Sequence, residues 1–187
     1  MKFSLTTRLL GLAVILTLAA GCKKDNPTPA PSNTSLLTGP TWRTNDYRLV
    51  INGTEGTYTP AAANKEDFKF TADGKFTDTP ASAPAYSGTW AFAANETQLQ
   101  LTPNPQAPDP IQLFTLTAAD LAYGFTYNQT QVQHALSNTN NSPTATDTNI
   151  RNLVLATIAF TFPNNTLPVS NYTQITSLSF KATYKPK

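Results

Sequence analysis

Short stretches that alternate apolar and polar residues recur about every ten positions along this chain, and turn clusters separate them. No helical pattern intervenes over most of its length, and this rhythm restricts the fold more than any other feature. Phe68-Lys69-Phe70 leads into Ala72-Asp73-Gly74-Lys75, where Asp-Gly supplies the positive φ a tight hairpin needs, and Phe76 begins the return. Tyr86 to Phe92 alternates, and Ala94-Asn95-Glu96-Thr97 turns it into Leu99-Gln100-Leu101. Ile111-Gln112-Leu113 with Leu116 makes a further strand, and Leu121 to Tyr127 follows the turn at Ala118-Ala119-Asp120. The last clear strand is Ile175 to Tyr184, with Leu178, Phe180 and Ala182 on one face and Lys181 and Thr183 on the other. A period of two gives each segment one face to bury. Strands so closely spaced predict an all-β domain, an antiparallel barrel or a sandwich.

Two segments break the rhythm. Residues 129–149 are polar and rich in Asn and Thr, and read as a long loop with a short helical turn around Val132 to Leu136. Ile150 to Phe162 is apolar almost throughout. It fits a buried strand or a helix capped by Asp147 or Thr148, and the β-branched and aromatic residues Val154, Ile158, Thr161 and Phe162 favour the strand.

The chain begins differently. Lys2 and Arg8 precede the apolar run Leu9 to Ala20, which ends at Gly21-Cys22. A membrane-spanning helix needs about 20 apolar residues, and this run is shorter and meets Lys23, Lys24 and Asp25 at once. A cleaved signal over residues 1–21 fits the pattern. Small residues directly before the only cysteine point to a lipoprotein signal, with Ala19 where Leu is usual, and to acylation of Cys22. Plain secretion is the alternative. Acylation implies an outer-membrane anchor in the cell envelope, facing the periplasm or the cell surface, with the bilayer as partner. Residues 22–35 are Pro-rich and polar and read as a flexible tether. Its opening, Lys23-Lys24-Asp25, resembles a short surface-export signal and serves equally as a hydrophilic spacer. With one cysteine, the domain at residues 36–187 forms no internal disulfide, so its stability rests on its core.

The series Leu36-Leu37-Thr38-Gly39-Pro40-Thr41-Trp42-Arg43 resembles the opening of lipocalin-like domains in bacterial lipoproteins. So does its sequel: Phe68-x-Phe70 with Asp73-Gly74-x-Phe76, then Gly88-Thr89-Trp90, Leu99-x-Leu101, Leu116-Thr117 and Leu121. The resemblance implies an up-and-down barrel of about eight strands that can enclose one small apolar or amphipathic ligand. It also implies that Trp42 plugs the closed end. Phe70, Phe76, Trp90, Phe92, Tyr123 and Phe125, together with Trp42, become the candidate ligand-binding residues.

Other chemistry is sparse. The chain has 13 Lys and Arg against 11 Asp and Glu, and loss of Lys2 and Arg8 with the signal leaves 11 of each, which argues against a nucleic-acid partner. His134 is the only histidine, so neither a His-rich metal site nor a catalytic residue can be assigned. Glu66 and Asp67 are neighbours that a strand would point to opposite faces. No glycine-rich phosphate loop suggests a nucleotide cofactor. The expectation is a non-catalytic binding module. The alternative is a surface domain that recognises glycan or protein through aromatics such as Tyr47, Tyr58, Tyr86 and Tyr172.

Overall fold

The structure, a computed structural model, describes residues 30–104, 109–137 and 142–187. The expected signal at 1–21, Cys22 and most of the 22–35 tether lie outside the described residues. Pro31–Lys187 forms one compact unit. It opens with helix α1, Asn33–Thr38, in which the Ser32 hydroxyl caps the Ser35 N–H. The helix starts inside the stretch assigned to the tether, because Ser32 is a capping residue and Leu37, wholly buried, anchors the turn.

Nine strands follow among the described residues. They are β1 (Thr41–Ile51), β2 (Thr54–Tyr58), β3 (Asp67–Phe70), β4 (Lys75–Thr79), β5 (Tyr86–Ala93), β6 (Gln98–Pro103), β7 (Asp109–Leu116), β8 (Leu121–Asn128) and β9 (Ser177–Pro186). From β3 to β9 each strand pairs antiparallel with the next, and β9 returns to β1 from Trp42↔Pro186 to Ile51↔Leu178. The other edge of β1 carries two strands in succession: β2 opposite Tyr47–Ile51 and β3 opposite Thr41–Arg43. The result is a closed antiparallel barrel of eight strands with β2 as an extra strand. Closure settles the choice between barrel and sandwich.

Local chemistry fixes the register. Asn52 and Gly53, both at positive φ (50° and 83°), make the two-residue turn between β1 and β2. The Asn52 carboxamide oxygen also accepts from the Thr176 and Ser177 N–H groups, tying this turn to the start of β9. Gly74, at φ 77°, closes the β3–β4 hairpin, and the Trp90 indole donates to Thr71 O across that turn at 3.0 Å. In β1 the pairing with β9 slips between Thr44 and Asp46. Trp42 and Thr44 therefore face inward before the slip, and Leu49 and Ile51 face inward after it.

The helical turn expected around Val132 to Leu136 lies in a helix, whereas the rest of the loop expected at 129–149 and the strand favoured at 150–162 are corrected. α2 (Gln129–Leu136) and α3 (Ala145–Ala156) are helices, each opened by a capping box: Asn128 with Gln131, and Thr144 with Asp147. Ile150, Leu153, Val154 and Thr157 recur at helical spacing, and three of the four are buried. That period outweighs the β-propensity of the individual residues. Thr157–Ala159 adds a 3-10 turn, and only from Phe160 does the chain extend, where Thr161 bridges Thr57 of β2 through hydrogen bonds of 3.0 and 2.9 Å.

Two apolar clusters fill the unit. One gathers Leu37, Trp42, Phe68, Phe70, Phe76, Trp90, Leu99, Leu121, Tyr123 and Tyr184. The other joins Leu49, Ile51, Tyr127 and Leu178 of the barrel to Val132, Ala135, Ile150 and Val154 of the helices, with Phe162 and Ile175. Phe125 and Phe180 pack against both.

Candidate functional site

A cavity of about 430 Å³ lies where those clusters meet. Tyr47 of β1, Tyr58 of β2, Phe125 of β8 and Phe180 of β9 form its barrel side. Asn149, Asn152, Leu153 and Ala156 of α3, followed by Ala159 and Phe160, form the other. Tyr47 and Tyr58 are register partners, so their rings stack at 6.2 Å, and Phe180 stacks on Tyr47 at 5.9 Å. Phe160 meets Tyr58 edge-on at 6.3 Å. The wall is thus a row of rings crossing three adjacent strands, a surface that binds apolar groups by area and shape. Asn149 and Asn152 are its only polar side chains besides the two tyrosines.

The Tyr47 hydroxyl points away from this apolar wall, into a polar cluster inside the barrel. It donates to Glu66 Oε1 at 2.9 Å, and Tyr184 donates to the same oxygen at 3.2 Å. With the Tyr184 hydrogen so used, Tyr123 donates to Tyr184 at 2.8 Å. The β4 carboxylate of Asp78, opposite Phe68 of β3, is 3 % exposed, and its Oδ1 has no hydrogen-bond partner. Burial pushes the Asp78 carboxyl up to about 6; the Tyr86 hydroxyl pulls it back and the Glu66 charge adds to the rise. Burial, then the Glu66 charge, raises the Tyr47 hydroxyl above its ordinary value. Neither Glu66 nor Asp78 forms an ion pair among the described residues.

Of the residues put forward from the sequence, Phe125 lines the cavity. Trp42, Phe70, Phe76, Trp90 and Tyr123 are buried in the first cluster, with Phe92 half-buried against it. Trp42 is wholly buried and its indole donates to Leu37 O at 2.9 Å, so α1 and Trp42 close that end of the barrel together. Of the four surface aromatics, Tyr47 and Tyr58 meet in the cavity wall, whereas Tyr86 packs edge-on against Phe76 and Tyr172 lines a separate surface depression. Phe180 sat in a strand already read as one-sided, and its inward alternation was the signal that could have placed it. Leu153, Asn149 and Asn152 share a cavity face only because α3 is a helix, which a strand-and-loop reading of 129–162 does not show.

His134 is exposed on α2, and its Nδ1 lies 2.8 Å from Asp147 Oδ1. The other Asp147 oxygen accepts from the Thr144 N–H and hydroxyl, both at 2.8 Å. Asp147 is 2 % exposed, so it joins α2 to the start of α3 as a buried structural link. No group of three His, Cys, Asp or Glu suited to a metal ion occurs among the described residues.

Fold and cavity define the class: a small closed antiparallel barrel with a ring-lined apolar pocket, partly open to solvent at Tyr58 and Asn152, between its wall and α3. The chain matches no protein-family model, and no curated protein resembles it in sequence at a significant level.

Proposed function

We propose that this chain is a lipid-anchored, lipocalin-like binding module of the cell envelope, and that it holds one small apolar or amphipathic molecule in the chamber between barrel and α3. The observation that carries the reading is the chamber itself. At about 430 Å³ it falls within the size of small-molecule sites, and rings and aliphatic groups make most of its lining. The proposed role is binding rather than catalysis, and what supports it is a lining that, among the described residues, is made of rings, aliphatic groups and two asparagines. Acylated Cys22 anchors the module to the outer membrane, because two or more acyl chains hold a protein stably where one does not.

The test uses the neutral fluorescent probe N-phenyl-1-naphthylamine. Its fluorescence is expected to rise on binding, and Ala156→Trp, which fills the chamber from α3, is expected to abolish the rise without lowering the melting temperature. An unchanged signal in Ala156→Trp would place the probe elsewhere and sink the reading of the chamber. For the anchor, Cys22→Ser is expected to end incorporation of labelled palmitate and to move the protein from the membrane to the soluble fraction. Continued labelling of that variant would exclude Cys22 as the acylated residue.

A further inference from the structure

We propose that the chamber selects amphipathic molecules with a positively charged head, of the alkylammonium kind, and disfavours those with an anionic head. The inference rests on the chamber being the ligand site and adds the ligand's charge. Five rings line the space (Tyr47, Tyr58, Phe125, Phe160 and Phe180), and among the described residues no Lys, Arg or His does. Aromatic faces carry a negative quadrupole and attract cations, most strongly where water is excluded.

Tyr47 couples the wall to the carboxylates behind it. Its ring faces the chamber while its hydroxyl donates to Glu66 at 2.9 Å, a hydrogen bond that pushes electron density into the ring. Glu66 and Asp78 have no cationic partner among the described residues, and Asp78 leaves a buried oxygen unpartnered. Two carboxylates with no counter-charge give the interior a negative potential that a bound cation would offset and a bound anion would oppose. Burial raises the ionisation of Tyr47, Tyr86, Tyr123 and Tyr184, and the Glu66 charge adds to the rise in each case. A bare metal ion is a poorer occupant, because two carboxylates and phenol hydroxyls make a thin ligand set for a hard cation. With the head against Tyr47 and Phe180, an alkyl tail lies along Leu153 and Ala156 of α3.

The test is calorimetric titration of the full chain, produced without acylation, with three probes of one tail length below their micelle concentrations: decyltrimethylammonium, decanol and decanoate. The ammonium is expected to bind about tenfold tighter than decanol, with decanoate weakest. In Glu66→Gln and, as a second variant, Asp78→Asn, the ratio of ammonium to decanol affinity is expected to fall to about threefold or less. Decanol or decanoate binding as tightly as the ammonium would overturn the charge preference and leave the chamber intact as a site. A ratio unchanged in both variants would overturn the role of the carboxylates. Failure of all three probes to bind would overturn the chamber reading, and this inference with it.

Discussion

Asp78 is the group on which the barrel interior can be tested most directly. Its carboxyl is 3 % exposed, one oxygen is unpartnered, and burial lifts it from the ordinary 3.8 to about 6. A rise of about two units corresponds to roughly 3 kcal/mol, since one unit is about 1.4 kcal/mol. The sign follows from proton binding. Between about pH 4 and 6 the folded protein holds a proton on Asp78 that the unfolded chain has lost, so raising the pH favours unfolding. Stability contributed by the protonated carboxyl is complete below pH 3.8 and is lost as the pH passes 6. Asp67 acts oppositely and elsewhere on the scale. Arg43 donates to both its oxygens at 2.7 and 2.9 Å, which with Lys187 holds it down to about 2. Its contribution therefore disappears only as the pH falls below about 4. Asp78→Asn keeps the shape and removes the charge. In denaturant unfolding from pH 4 to 8, the wild type is expected to lose about 3 kcal/mol between pH 4 and 6 and then level off. The variant is expected to lack that slope and to be the more stable protein at pH 7, melting about 6–12 °C higher. If Asp78→Asn were less stable than the wild type at pH 7, or kept the same slope, the buried charge would not be the source of the strain.

Three further substitutions address the elements around the chamber. Trp42→Phe removes the indole donor to Leu37 O and leaves that carbonyl buried without its partner. It is expected to cost about 2 kcal/mol in denaturant unfolding and to raise amide exchange in α1, and unchanged exchange there would refute the α1–Trp42 closure. Asp147→Ala strips the link among Thr144, α3 and His134, with an expected loss of about 2–3 kcal/mol measured in the same way. A loss under 0.5 kcal/mol, on the order of a surface substitution, would make the contact incidental. Gly56→Val places a side chain where even a Cβ would lie 2.7 Å from the Phe162 ring. It is expected to cost about 1–3 kcal/mol and to expose the Thr57 and Thr161 amides to exchange, whereas protection kept at both would show that the segment around Phe162 repacks freely.

The strands were legible because alternation is a backbone period, and a chain in which Phe68, Phe70 and Phe76 share a face must bury that face. The same logic failed where the period is interrupted. At Thr44–Asp46 the slip in pairing changes which parity faces inward, so Tyr47 looked like a surface aromatic though its ring is in the chamber wall. Asn52-Gly53 is also a strong hairpin signal flanked by two β-rich runs, and at positive φ it makes the β1–β2 turn. The helices were hidden for another reason. Single-residue propensity spoke for strand at Val154 and Ile158, whereas the deciding information was the Thr144–Asp147 capping box and the spacing of Ile150, Leu153, Val154 and Thr157. The polar cluster was out of reach of sequence reasoning. Glu66 and Asp67 are adjacent, as noted, and a strand does send them to opposite sides. Only the closed barrel shows that the Glu66 side meets Tyr47 and Tyr184.

The composition of the interior argues against a barrel shaped by stability alone. Around Trp42 and Phe70 the core is aromatic and closed, as a domain without an internal disulfide requires. Toward α3 the packing opens into a space of about 430 Å³, and an unfilled apolar volume costs stability through lost contacts. Deeper in the barrel Asp78 is buried with one oxygen unpartnered and no ion pair among the described residues, and an unpaired buried charge costs stability. A small number of substitutions, such as Ala156→Trp and Asp78→Asn, would remove both costs without touching a turn or a strand pairing. Tyr47 reaches toward both features: its ring lines the pocket and its hydroxyl donates to Glu66, whose charge acts on Asp78. The proposed binding of a cationic amphiphile would use both, the apolar pocket for the tail and the negative interior for the head.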